Sequence, residues 1–430
     1  MNALRLPISS AVAALVLSLA LLPLAHAADE PANELPPESL VRQSILAMPE
    51  VKAATAALQA DQAEADRLRA GPHEFTLRLQ GQQRRVNEPQ DGVPNRQRYG
   101  EYQLALERTL RGAGKAAQDE AIGEATLAAA QIRRSDAIHE ASRALLRAWI
   151  DWLREGAIVE FRQKQAADQA ELTRIAATRV KAGDAARNEL RLQEANAAQA
   201  QAELATALAR EAAARAGLDA RYPGLAPVRH AALAVPRAED LPAGSGESVR
   251  SDLEERSHEW RLARQQATLA EARALRTALE HRVDPTVGLY AGVERGGAER
   301  IVGVSLSLPL AGAARQAAER QARAQADQAG ENARAIQQKV HAEAAIAWTQ
   351  LRSTFEGWQR QEAARRQHED VLQATVRGWR LGEYGQADVL LARRQFTEAA
   401  LAEITARAEA RHAALRLRLD LHQSWEFDEN

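Results

Sequence analysis

The segments LERTLRGAGK (106–115) and LSLPLAGAAR (306–315) decide how this chain folds. Both run from alternating apolar residues, through a glycine, into a long alanine-rich stretch. Leu106, Leu110, Gly112, Ala113 and Lys115 correspond to Leu306, Leu310, Gly312, Ala313 and Arg315, an offset of 200 residues. Farther on, Gly183-Asp184 corresponds to Gly382-Glu383, Glu189-Leu190 to Asp388-Val389, and Leu192 to Leu391, an offset of 199. Similarity at a fixed distance marks a duplicated structural unit. Each unit reads helix, β-hairpin, long helix, turn, helix.

Upstream of each glycine the residues alternate with period two. Phe75, Leu77 and Leu79 share one face of a strand over Glu74–Val86, and Tyr102, Leu104 and Leu106 share one face of its return strand over Gln97–Leu110, with a polar loop between. The second hairpin is Pro285–Arg295, a turn with Gly296-Gly297, and Ile301–Leu310. About ten residues of apolar–polar alternation match a tilted strand of an outer-membrane barrel. The same pattern also fits a half-buried sheet on a water-soluble domain.

Downstream of each glycine the sequence is rich in Ala, Glu, Gln, Arg and Leu, which is long-helix composition. It predicts helices near 38–70, 113–181, 185–217, 248–282, 313–380 and 385–424. The second and fifth span about 67 residues, roughly 100 Å at about 1.5 Å per residue. Ile138, Leu145, Trp152, Val159 and Ala166 recur every seven residues. Ile336, Val340, Ala344, Ala347, Leu351, Phe355 and Trp358 are spaced by fours and threes. Such narrow seams wind helices into coiled coils. The layout is therefore a first repeat over 28–217 with its hairpin at 74–110, a Pro- and Gly-rich linker or belt at 218–247, and a second repeat over 248–430 with its hairpin at 285–310.

The N-terminus reads as a secretory signal peptide over residues 1–27: Arg5, an apolar run from Ala11 to Leu24, and the small-x-small site Ala25-His26-Ala27. No later stretch is apolar enough for a membrane helix, and mean hydropathy is −0.42. Any membrane insertion must use strands. The formal charge of −2 gives no footprint for nucleic acid. There are no cysteines, which excludes disulfides, thiolate metal sites, a Cys nucleophile and a lipidated N-terminal cysteine. Four strands cannot close a barrel, so membrane-embedded strands require oligomers. Two chains give eight strands and three give twelve. An eight-stranded barrel is filled by its own side chains, so a conduit favours three.

On these residues the chain resembles the TolC-like outer-membrane efflux proteins across nearly the whole mature sequence. Ser39-Leu40 leading to Met48-Pro49-Glu50-Val51 is similar to that family's opening helix, with Met48 in place of an asparagine. Gly112, Gly114 and Lys115 are similar to the Gly-Gly-Lys-Arg exit of the cation-efflux, CzcC-like branch, with Ala116 where arginine is usual. The resemblance implies a mainly α fold with a small membrane β-barrel: a homotrimer with twelve strands and a periplasmic α-helical tunnel. The implied role is the exit duct of a tripartite pump in the Gram-negative outer membrane, carrying substrates such as heavy-metal cations. The implied partners are a periplasmic adaptor, an inner-membrane transporter of the RND type, and outer-membrane lipid.

Gly183, Asp184, Gly382 and Glu383 match the family's periplasmic tips, where adaptor hairpins dock. Glu189 and Asp388 follow these tips. In the resembling proteins an aspartate at the second position rings the periplasmic aperture, and three copies of each acid would favour cations. A second acid one turn later is absent, because Leu391 stands there. Both acids also suit the first turn of a helix, where the dipole favours negative charge. His139-Glu140, His258-Glu259 and His368-Glu369 read as surface residues, since no histidine pair has metal-ligand spacing along a helix. No catalytic constellation, metal motif or cofactor motif appears, so an enzyme is not expected. The alternative function is a periplasmic coiled-coil adaptor of an export complex. An adaptor has one coiled-coil hairpin and a β-rich tail, whereas here the hairpin unit occurs twice and the chain ends in helix.

Overall fold

The computed structural model describes residues 34–90, 93–225, 231–242, 246–310, 312–425 and 427. The expected signal peptide lies outside the described residues, as do Pro227 and Gly244 of the expected linker.

The chain opens with α1 (Glu38–Ala47) and α2 (Pro49–Ala70). A single helix is predicted here, but Met48 takes an extended conformation (φ −65°, ψ 141°). The ring of Pro49 disfavours the helical region for the residue before it. Next come β1 (Phe75–Gln90), β2 (Val93–Thr109), α3 (Lys115–Lys181) and α4 (Arg187–Arg221). The first hairpin runs past the predicted polar loop, with pairing out to Gln90↔Val93. Main-chain pairing needs no apolar side chains, so the ladder continues where alternation has ceased. Segment 218–247 carries short 3-10 turns at Pro223–Leu225 and Ala238–Asp240. Its Leu218, Tyr222, Leu225 and Leu233 are buried.

The second half holds α5 (Gly246–Arg256), α6 (His258–Ala278), β3 (Thr286–Glu294), β4 (Glu299–Ser307), α7 (Ala313–Arg380) and α8 (Gln386–Asp420). The single helix predicted over 248–282 is broken at Ser257. Its hydroxyl accepts the Trp260 N–H at 3.3 Å and caps α6.

The four strands form one antiparallel sheet in the order β1-β2-β3-β4, so the two hairpins pair with each other through β2 and β3. The helical core lies apart from the sheet. Its main cluster brings α1, α3, α4 and α8 together around Trp149 and Leu145, and takes in Trp425 and Phe427 beyond α8. Ile138, Leu145, Trp152 and Ala166 of the α3 seam are buried, as are Val340, Ala344, Leu351 and Trp358 of the α7 seam. Over its 68 residues α7 buries only those four and Gly378 within the chain. Among the described residues no helix is long and apolar enough to cross a membrane.

Candidate functional site

The sheet separates its two faces sharply. Register places Leu77, Leu106, Leu289 and Val304 in one rung across all four strands. The rungs on either side are Leu79, Leu104, Ala291, Val302 and Phe75, Arg108, Val287, Leu306. This face is exposed: Leu79 is 77% and Val302 84% accessible. The opposite face carries Thr76, Glu107, Gly288 and Ser305 in one rung and Gln80, Gln103, Gly292 and Ile301 in another. On it Arg84 bridges Glu101 at 3.0 Å and Glu294 at 3.1 Å. Large apolar side chains held exposed on one side of a polar-backed sheet are the pattern of strands with lipid on one side and water on the other. Among the described residues β1 and β4 have no partner on their outer edges.

A charged collar joins sheet to helices at the segment that decides the fold. Lys115 opens α3 with its side chain 1% exposed. Its ammonium donates to Asp284 at 2.9 Å and Glu280 at 3.1 Å. Asp284 also accepts the Gly112 N–H at 2.7 Å. Arg276 pairs with Glu280 and with Asp119, the latter at 2.6 Å, and Arg111 reaches Asp119 at 3.1 Å. Burial by itself would raise the Asp284 and Glu280 carboxyls. The hydrogen bonds from Lys115, Gly112 and Arg276 outweigh it and hold both below the usual carboxylate range. The sequence singles out Lys115 but not its partners, which lie some 165 residues away.

At the far ends of α3 and α7 the chain reverses through two matching turns. Gly183 (φ 78°) and Gly382 (φ 82°) take the left-handed conformation. Asp184 N–H bonds to Arg179 C=O at 2.9 Å, and Glu383 N–H to Gly378 C=O at 2.8 Å. These are Schellman ends, which glycine enters without a Cβ penalty. Nothing lies within 4 Å of where a Cβ would sit on either glycine. Asp184 is exposed. Glu189 accepts from Arg179 at 2.9 Å, and Asp388 accepts the Gly385 N–H at 2.9 Å at the start of α8.

The expectation that His139 and His258 are surface residues is corrected. His258 is 5% exposed, and His139 and His422 lie against it. Burial, then the neighbouring His139 and His422, push His258 down to about 3. Spacing along the sequence could not reveal this group, because its members come from α3, the start of α6 and the end of α8.

No protein-family model matches the sequence, and no curated protein matches it. Solved structures do. A membrane protein from Pseudomonas aeruginosa superposes with TM-score 0.76 at 16% identity, over 93% of this chain and 93% of that one. The outer membrane protein VceC of Vibrio cholerae gives 0.71 at 18% identity, over 89% of this chain and 95% of that one. The CmeC outer membrane channel of Campylobacter jejuni gives 0.68 at 13% identity, over 91% and 86%. The chain has the fold of these proteins, helices and small antiparallel sheet together.

Proposed function

We propose that this chain is one protomer of an outer-membrane exit duct of a tripartite efflux system, passively conducting substrates from periplasm to exterior. One observation carries the reading: an exposed apolar face crosses all four strands, on a sheet whose outer edges are open. In lipid an open edge leaves backbone N–H and C=O groups unsatisfied, so the strands must close with those of other copies. Three copies give twelve strands and leave room for a conduit, whereas the interior of an eight-stranded barrel is filled. The low burial of α7 within its own chain leaves helix faces for the same neighbours. The fold shared with outer-membrane channels supports the assignment.

The finer parts of the proposal follow the resemblance. The turns at Gly183-Asp184 and Gly382-Glu383 dock a periplasmic adaptor. An inner-membrane transporter of the RND type supplies the energy. Glu189 and Asp388 lie at the periplasmic aperture. Heavy-metal cations are the proposed cargo, from the Gly112, Gly114, Lys115 motif.

The absence of native cysteine makes engineered cysteines a clean test. Ser305→Cys on β4, combined in turn with cysteines along β1, should at the position set by the barrel's stagger crosslink chains in outer-membrane fractions into a ladder that stops at three. Single cysteines at Asp184 and Glu383 should crosslink to an adaptor in pumping cells. Recovery of the chain as a monomer in the periplasmic fraction would defeat the duct and favour the adaptor reading. A trimer whose tips never crosslink would defeat the docking assignment alone.

A further inference from the structure

Outside the sheet, the collar and the tips, one cluster of side chains has no part in the duct. His139 lies in the middle of α3, His258 is the first residue of α6, and His422 follows the last turn of α8. One ring nitrogen from each lies within 4.8 Å of the other two. The ring centroids are 5.0–5.5 Å apart. Three features set this cluster apart from ordinary packing. The Nδ1 of His258 is buried and has no hydrogen-bond partner among the described residues. A buried polar atom is nearly always satisfied, so an orphan calls for an explanation. His139 Nε2 lies 3.3 Å from the largely buried Asp420 Oδ1. A carboxylate on an imidazole is the usual device for orienting a metal-binding histidine. Finally, His422 holds φ at 54°. It occupies the left-handed position of a Schellman turn, with Gln423 N–H bonded to Arg418 C=O at 2.8 Å. Gly183 and Gly382 fill the equivalent positions at the ends of α3 and α7. At the end of α8 a branched imidazole takes the place that favours glycine, and its ring meets the other two.

We infer that His139, His258 and His422 form a binding site for a divalent transition-metal ion of the Zn²⁺ class, which clamps the end of α8 to α3 and the start of α6. Imidazole donors without thiolates suit Zn²⁺, Ni²⁺ or Cu²⁺ rather than Cu⁺. Around a tetrahedral ion with bonds of about 2.0–2.1 Å, nitrogens stand about 3.3 Å apart. Inward shifts of less than about 1 Å per ring bring this trio to that spacing. The cluster opens onto a cleft also lined by Asp136, Glu140 and Glu259. Arg143, Arg256 and Lys339 line the same cleft, where Glu140 pairs with Arg143 and Glu259 with Lys339, so the cleft is of mixed charge, and water supplies the fourth ligand. The site lies within one protomer and stands whether or not the chain conducts metal ions.

The test uses the full, untagged chain in detergent, stripped with chelator and titrated with ZnCl₂ by calorimetry. A single ion per chain should bind, raise the thermal midpoint, and give with Co²⁺ the visible absorption of a tetrahedral site. His422→Gly removes one ligand while suiting the left-handed turn. It should leave the chelated protein at least as heat-stable as the wild type, lower Zn²⁺ affinity at least about tenfold, the scale at which even outer-shell partners act, and abolish the metal-dependent rise. His139→Gln should lose the same affinity. Wild-type affinity in His422→Gly, or no stoichiometric Zn²⁺ binding in the wild type, would overturn the site and return the trio to packing.

Discussion

Lys115 carries a full charge into a site where its side chain is 1% exposed, and two carboxylates from the stretch before β3 meet it there. Lys115→Met removes the cation and leaves Asp284 and Glu280 without their shared partner. A loss of about 1–3 kcal/mol at neutral pH is expected, the penalty for groups stranded without hydrogen bonds. The pH dependence has a definite sign. Both carboxyls are held below their ordinary values of 3.8 and 4.5. Their stabilisation is therefore present above those values and lost as pH falls through the lowered ones. The gap in thermal midpoint between wild type and Lys115→Met should narrow progressively as pH falls below about 4. A gap that stays constant into acid would mean that ion pairing is not what Lys115 contributes. At the other end of the helices, Glu189 and Asp388 look alike in sequence and differ in the fold. Glu189 is paired with Arg179, while exposed Asp388 bonds, among the described residues, only to the amide of its own helix start. On the duct reading, Asp388→Asn should reduce cation selectivity in planar bilayers more than Glu189→Gln does. Equal effects, or none, would remove Asp388 from the aperture.

At the scale of elements, the sheet is the part most open to test. Leu289 lies in the middle rung, flanked by Leu106 and Val304. An arginine there would stand near the midplane of the bilayer, so Leu289→Arg should destabilise the inserted state by about 2–4 kcal/mol. Gln80→Arg, on the polar face, should insert and assemble near wild-type levels. The yield of heat-modifiable oligomer in outer-membrane fractions separates the two, and equal yields would reassign the apolar face. Element identity was largely legible in the sequence because it rests on local periodicity. The heptads of α3 and α7 and the alternation of β3 and β4 involve neighbours a few residues apart. The misread boundaries have local causes that compete with periodicity. Pro49 forces Met48 out of the helix, and Ser257 offers a cap inside an otherwise helical stretch.

For the whole molecule, long-range contacts decide how the elements meet. Arg411 of α8 is 7% exposed and pairs with Glu34 near the start of the described chain and with Asp240 in the segment between the halves. Trp149 donates to the Glu34 carbonyl at 2.7 Å, joining α3 to the same knot. The sequence alone determined the long helices, the two hairpins, the turns at Gly183 and Gly382 and which strand face is apolar. Each of these depends on the conformational limits or side-chain period of residues close along the chain. Only the tertiary structure decided that β2 lies beside β3, that Lys115 is buried between Asp284 and Glu280, and that three scattered histidines meet. Those contacts join residues between 119 and 283 positions apart. Their partners are selected by packing and charge in three dimensions, and no local pattern in the sequence encodes that choice.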